Sequence, residues 1–583
     1  MREVTNMKVS SIRFLWNYSK KHKFTLLACL LCALIYVIGH LCFTILTGMT
    51  IDLIIGQDNV IFDRVNIYLI VLLVITIVAL SFEWMLNYFT AKITYKIIRD
   101  MRRDAFNKIS DLPISYIDSH AYGDVISKVV LDVETITDGL LQLFTKFVVG
   151  VTTIVGTLIM MCLICWPLAL IVLLLTPLSL ISSSLIARGS LKTFRGQTII
   201  RGDIGGFLNE NLTNQKIIKS YNSEDFMNER FDDMNKDYKK VNYKSELIAS
   251  IINPSTRLIN ALIYATLVLV GGVFTYENMF NLTSGLLYSF LLFANRYTTP
   301  FNDISNVVAE LQNSFASARR LAIFLKEEEI VRDEKEELDN IDGSIDIETI
   351  TFSYDGTKDV LKDISIDIRP KHLIALVGST GCGKTTLINL LMKFYSPQKG
   401  KILMSKKDIK DVKTDSLRRS FGMVLQDTWI FKGTIRDNIR YSKPDASEEE
   451  IIEASKKARA HGFISNLKDG YDTLISDSEG LSNGQKQLIC IARLFLNCPD
   501  MLVLDEATSS IDTRTEVLIQ QAFNEIMKER TCIVIAHRLS TIRNADLILV
   551  MDKGQIVEKG NHKELIEKKG FYYDLYNSQF VEA

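Results

Sequence analysis

The run Gly378-Ser379-Thr380-Gly381-Cys382-Gly383-Lys384-Thr385 fits the pattern G-x-x-x-x-G-K-[ST]. Its glycines leave backbone N–H groups free to converge on an anion. Lys384 adds a cation that can reach the β- and γ-phosphates, and the Thr385 hydroxyl is a hard ligand for Mg²⁺. The chemistry is binding of a nucleoside triphosphate, ATP. The pattern carries this meaning only between a strand and a helix. Leu373–Val377 is an apolar run that predicts the strand, and a helical run follows from Thr386, its N-terminus adding to the pull on phosphate. Cys382 sits among these N–H groups and beside Lys384, a setting expected to lower a thiol pKa and expose it to reagents that ATP would block.

A second run, Met501-Leu502-Val503-Leu504-Asp505-Glu506, predicts a buried strand ending in two carboxylates. Asp505 can hold Mg²⁺ through water, and Glu506 is placed to polarise an attacking water. Leu481-Ser482-Asn483-Gly484-Gln485, Gln426 in Val-Leu-Gln-Asp, His537 in Ile-Ala-His-Arg and Tyr354 in Phe-Ser-Tyr complete the set. With these motifs the chain resembles, over essentially its whole length, an ATP-binding-cassette transporter of the exporter type. The resemblance implies that Tyr354 stacks on adenine, Gln426 senses Mg²⁺, His537 contacts the γ-phosphate and Ser510–Asp512 crosses to an opposite site. It also implies that Ser482, Asn483, Gly484 and Gln485 contact ATP held by a second chain.

These motifs require a positioning framework. The 583 residues exceed one ordinary core, and 48% hydrophobic content beside 23% charged residues points to two unlike halves. A net charge of −1 gives no basic field for nucleic acid. Six apolar runs are long enough to cross a bilayer: Phe24–Leu46, Ile67–Phe89, Leu140–Cys165, Pro167–Ala187, Leu258–Thr275 and Gly285–Val307. Lys and Arg concentrate in Ala91–Gly139 and Arg188–Thr256, which puts those segments and both termini inside. Both segments read as helical extensions that turn near Pro113–Asp118 and Lys219–Asp225. The expected fold is an all-α six-helix transmembrane domain (1–325), a charged linker (326–341) and an α/β P-loop nucleotide-binding domain with a helical subdomain (342–583). The expected setting is a cell (plasma) membrane of a bacterium, with the nucleotide-binding domain and both termini cytosolic.

The expected activity is ATP hydrolysis that drives export of a small amphipathic molecule, a lipid or a peptide by alternating access. An exporter-like importer of the siderophore type and a non-transporting regulatory ATPase are the alternatives. Six spans are half of the family's twelve, so a second half-transporter is implied. Asn483 stands where the family has glycine, and Ser476–Gly480 departs from its usual Gly-Glu-Arg-Gly. Ala507–Arg514 and Leu575–Phe580 resemble the glutamate-bearing chain of heterodimeric exporters, so the partner is expected to be a different chain, with a homodimer as the alternative. Polar residues inside the spans, His40, Glu83, Asn87, Asn260, Asn295 and Arg296, are candidates to line a substrate cavity. Arg296, near mid-bilayer, is expected to face that cavity or to pair with Glu83.

Overall fold

A computed structural model describes residues 10–55, 60, 62–327, 336–338, 341–425, 428–475, 480–505, 511–536 and 539–578. Contacts divide the chain into two units. The first holds the described residues up to Asp111 and His120–Glu327; the second holds Leu112–Ser119 and the described residues beyond 327. Much of the linker run lies outside the described residues.

The first unit is helical: α1 (Ser11–Ser19), α2 (Lys23–Asp52) and α3 (Phe62–Asp111), then, after the short α4 (Ile114–Ser119) of the second unit, α5 (Tyr122–Val129), α6 (Leu131–Gln142), α7 (Val149–Thr213), α8 (Gln215–Ser220), α9 (Glu224–Tyr276) and α10 (Ser284–Phe324). Leu143–Val148 winds as a π-turn between α6 and α7, so the third apolar run begins in α6. Helix α7 is interrupted at Cys165 (φ −156°, ψ 96°), two residues before Pro167. Proline removes a helical donor and restricts the residue before it, so the break falls where the third and fourth apolar runs meet.

One face of these helices packs inward through Met161, Leu168, Val172, Leu267 and Phe290. On the same helices Leu163, Leu174 and Leu269 are 76%, 65% and 72% exposed. Bare leucines beside a packed face call for an apolar surrounding medium. Helical stretches in Ser11–Asp52, Phe62–Asp111, Tyr122–Leu178 and Arg257–Tyr276 are long and apolar enough to cross a membrane. The sixth run, at the start of α10, is helical but interrupted by Asn295 and Arg296.

At one end of α2, the Asp52 carboxylate accepts from the Thr283 hydroxyl at 2.5 Å and the Gly285 N–H at 2.6 Å. Ser289 donates to the Thr44 carbonyl at 2.9 Å. The pairs 52/285 and 44/289 set an antiparallel register. It is close: a Cβ on Gly48 would lie 2.0 Å from Ser289 Oγ and 2.3 Å from the Gly285 carbonyl oxygen. Farther along, Asp132 is buried and forked by Arg320, tying α6 to α10.

The second unit contains β1 (Ile345–Phe352), β2 (Leu361–Ile368), β3 (Leu373–Gly378), β4 (Lys399–Met404), β5 (Lys407–Asp408), β6 (Phe421–Val424), β7 (Gly433–Thr434), β8 (Leu474–Ile475), β9 (Met501–Asp505), β10 (Thr531–Ile535), β11 (Leu547–Asp552) and β12 (Gln555–Gly560). An antiparallel sheet runs β2-β1-β4-β5. A larger sheet runs β12-β11-β3-β10-β9-β6 and is parallel except at β12. Strand β3 is buried on both faces, which explains its unbroken apolar run. Ile374 and Leu376 pack with β1 and with Leu387 and Ile388, while Ala375 and Val377 pack with Leu488 and Phe523.

Candidate nucleotide site

Strand β3 delivers Gly378 to the carboxyl end of the parallel sheet, and helix α11 (Lys384–Leu391) starts six residues later. Glycine is required at both loop ends. A Cβ on Gly378 would lie 2.2 Å from the Met551 carbonyl oxygen, and Gly383 has φ +107°, a region that side chains rarely adopt. Lys384 turns its Nζ back over the loop and donates to the carbonyls of Gly378 at 2.7 Å and Ser379 at 3.0 Å. The ammonium is thereby held above the segment formed by Ser379, Thr380 and Gly381. Thr385 is exposed at the first turn of α11, with its hydroxyl available to a ligand.

Cys382 keeps its expected neighbour Lys384 but is buried, which the sequence expectation did not foresee. Its N–H donates to the Ser379 carbonyl at 3.3 Å, but its thiol is 3% exposed and packs with Ile374 and Leu376. The loop presents its backbone outward and this side chain inward. Cys382 therefore fills the loop from the core side, with its sulfur accepting from Lys384 Nζ at 3.7 Å.

Tyr354 follows β1. Its ring is half exposed and meets Phe352 and Tyr395 edge-on, with centroids 4.9 Å and 5.0 Å away. Its hydroxyl donates to Thr386 Oγ1 at 3.1 Å, fixing the ring beside the first turn of α11. Thr386 is itself buried. The following loop is wound around Asp355, whose carboxylate accepts from the hydroxyl and N–H of Thr357 and the N–H of Lys358. These donors, Thr357 first, hold the Asp355 carboxyl well below the usual carboxylate range. Tyr395 in turn donates to Asp118 of α4 at 2.6 Å, within the same unit. Burial, then this bond, raises the Tyr395 phenol above its ordinary value, so it remains a donor at neutral pH.

Asp505 ends β9 opposite Ile535 of β10, which neighbours β3. Asp505 and Gly378 thus share the carboxyl edge of the parallel strands, where open α/β sheets bind ligands. Glu506, His537, Gln426, Ser510 and residues 476–479 lie outside the described residues.

Ser482 caps the helix Asn483–Asn497 in a reciprocal box. Its Oγ accepts from Gln485 N–H at 3.2 Å, and Gln485 Oε1 accepts from Ser482 N–H at 3.0 Å. Asn483 occupies the first helical position and is exposed. Gly484 is buried where a Cβ would lie 2.5 Å from Thr515 Cγ2, so no larger residue fits without a shift. Among the described residues, no hydrogen bond joins Ser482–Gln485 to the Gly378–Thr386 loop.

The spacing of motifs did not point to Arg493, farther along the same helix. It donates to the Asn438 carbonyl at 2.7 Å, the Asn438 side-chain oxygen at 2.9 Å and the Trp429 carbonyl at 2.8 Å. Asn438 also receives Phe431 N–H at 3.1 Å. Trp429 and Asn438 are therefore tied to the helix that Ser482 caps.

The sequence matches the family profile of the ABC transporter transmembrane region over residues 26–301 and that of the ABC transporter over residues 361–509. It is 37% identical over 574 residues to an uncharacterized ABC transporter ATP-binding protein, YfiC, of Bacillus subtilis, spanning 98% of this chain and 94% of that protein. It is 39% identical to the fatty acid ABC transporter ATP-binding/permease protein of Mycobacterium bovis over 82% of this chain and 75% of that one. It is 36% identical to the ATP-dependent lipid A-core flippase of Syntrophus aciditrophicus, over 84% and 81% respectively.

Proposed function

The chain belongs to the ABC transporter family, a helical transmembrane region joined to an ATP-hydrolysing domain, and we propose that it moves an amphipathic molecule, lipid or peptide by alternating access. The observation that carries this is the phosphate loop with Lys384 held over it, on the sheet edge that also bears Asp505. In this reading Lys384 meets the β/γ-phosphate charge, Tyr354 stacks on adenine, and Glu506 orients the attacking water. His537 contacts the γ-phosphate. The exposed Thr385 hydroxyl and the Asp505 carboxylate supply hard oxygen donors, so with Gln426 they would hold Mg²⁺, whose chemistry is to neutralise phosphate charge.

The reading extends to a pair of half-transporters, six spans each, with both termini and the nucleotide-binding domains in the cytosol of a cell membrane. Ser482, Asn483, Gly484 and Gln485 then contact ATP on the partner's loop. The exposed, capped helix start at Ser482 and Asn483 supports this. A different partner chain is favoured by Asn483 at the family's glycine position. Relatives named for fatty acid and lipid A-core substrates support a lipid-like cargo. Vesicle uptake driven by ATP tests the proposal: uptake into inverted vesicles supports export. Uptake in the opposite orientation would make the chain an importer, and ATP hydrolysis without flux would make it a regulatory subunit.

A further inference from the structure

The α2–α10 register carries information about the cargo. Asp52 and Gly285 meet, so depths along the two helices can be counted from one level. His40 lies twelve residues before Asp52, and Arg296 eleven after Gly285. At 1.5 Å per residue both sit about 17 Å along their helices, near the middle of a ~30 Å hydrocarbon layer. The structure brings them together: His40 and Arg296 both line two adjoining cavities of about 210 and 260 Å³.

The two cavities differ in chemistry. The smaller adds Tyr36, Thr153, Thr157 and Thr299. The larger adds Phe43, Ile75, Ala79 and Leu80. Thr157 and Thr299 donate to carbonyls of their own helices, so the smaller cavity offers a cation, the Tyr36 phenol and the Thr153 hydroxyl. The larger is walled by apolar side chains beside Thr76, whose hydroxyl donates to the Leu72 carbonyl. Among the described residues Arg296 forms neither an ion pair nor a hydrogen bond, and Glu83 does not pair with it. Arg296 thus lines these two cavities rather than pairing with Glu83. An arginine at this depth is costly unless water or an anion meets it. Together the cavities fall in the roughly 300–1,000 Å³ range of small-molecule sites.

We propose that Arg296, with Tyr36 and His40, binds the head of a single-chain anionic amphiphile, carboxylate or phosphate, whose hydrocarbon lies along Phe43, Ile75 and Leu80. This rests on the transporter reading and names the cargo class for it. Arg296 supplies charge and up to two parallel donors to a planar or tetrahedral anion. Tyr36 can add one donor. The larger cavity accepts a chain along Phe43, Ile75, Ala79 and Leu80, and the cation on its lining is the same Arg296 that holds the head.

The test uses the full-length chain with its co-purified partner in phosphatidylcholine nanodiscs. Electron paramagnetic resonance reads the motionally restricted fraction of spin-labelled octadecanoate, its methyl ester and spin-labelled octadecyl phosphate, with empty nanodiscs subtracted. The expected result is association of the acid or the phosphate about tenfold stronger than that of the ester. That preference falls to near one in Arg296→Gln and largely survives in Arg296→Lys. Which anion binds more tightly separates a carboxylate cargo from a phosphate one. Equal association of acid, phosphate and ester with the wild-type protein overturns the proposal, as does an unchanged preference in Arg296→Gln. If Arg296→Gln does not assemble, the wild-type ratio decides alone. ATP-driven vesicle uptake is measured separately: loss of flux with the preference intact counts against the transporter reading and leaves the anion site standing.

Discussion

The Arg493 guanidinium donates to both the carbonyl and the side-chain oxygen of Asn438, at 2.7 and 2.9 Å. The two residues are 55 positions apart, on helices Asn483–Asn497 and Ile435–Arg440. The same guanidinium also holds the Trp429 carbonyl, tying Trp429 to the helix that presents Ser482.

Arg493→Lys cannot reproduce a planar fork, and Arg493→Ala leaves the buried Asn438 carbonyl without this donor. Loss of charged hydrogen bonds costs on the order of 3 kcal/mol. Both variants are expected to lower the unfolding temperature of the nucleotide-binding unit, alanine more than lysine, and to reduce ATP hydrolysis more than ATP binding. Calorimetry with parallel nucleotide titration checks this. An unfolding transition that stays at the wild-type temperature in Arg493→Ala would show the fork to be inert.

Tyr354→Ala is expected to weaken ATP binding by about 1–2 kcal/mol, roughly five- to thirty-fold, while Tyr354→Trp retains most of the affinity, because stacking on a base tolerates any aromatic ring. The loop anchor Asp355 has a depressed folded carboxyl. Its ordering is complete above the ordinary carboxylate range and is lost only as pH falls through the lower folded value. The ratio of wild-type to Tyr354→Ala affinity should therefore stay flat from about pH 8 to about pH 5. Fluorescent ATP titrations across that range measure it.

Gly285→Ala places a methyl 2.0 Å from the Gly48 carbonyl oxygen and 2.6 Å from the Asp52 carboxyl carbon. Backbone cannot yield as a side-chain tip can, so overpacking of about 1–3 kcal/mol follows. The variant should lose thermal stability in its transmembrane unit and leave ATP affinity unaltered. Normal stability would mean that the α2–α10 register is looser than these distances state.

Expressed alone, the chain is expected to give little cargo-stimulated turnover; with its partner it should show one fast and one slow site. Asn483→Gly in the assembled pair should speed the slow site. A homodimer with two equal hydrolysing sites would contradict the heterodimer reading.

The phosphate loop was legible because its spacing encodes backbone geometry: glycine at Gly378 and Gly383 is demanded by local approach and φ alone. The buried face of Cys382 was not legible, since spacing does not say which side of a loop meets the core. The depth of Arg296 could be counted along a helix, but whether it met Glu83 or a cavity depended on helix rotation and on the Asp52–Gly285 register. Arg493 and Asn438 meet only through the tertiary fold, and neither belongs to a motif. The short helix Ile114–Ser119 falls at the turn expected near Pro113, where proline and the preceding residue interrupt α3.

Coupling of ATP hydrolysis to movement of a cargo is tested most directly by flux. The assembled transporter is reconstituted into liposomes, and ATP-driven uptake of a spin-labelled octadecanoate is compared between wild type and Glu506→Gln, with ATP binding measured on both. The account predicts ATP-dependent uptake in wild type. In Glu506→Gln, ATP binding is retained while hydrolysis and uptake both fall more than about tenfold. Hydrolysis within about twofold of wild type in Glu506→Gln, or wild-type hydrolysis that moves no amphiphile in either direction, would contradict it.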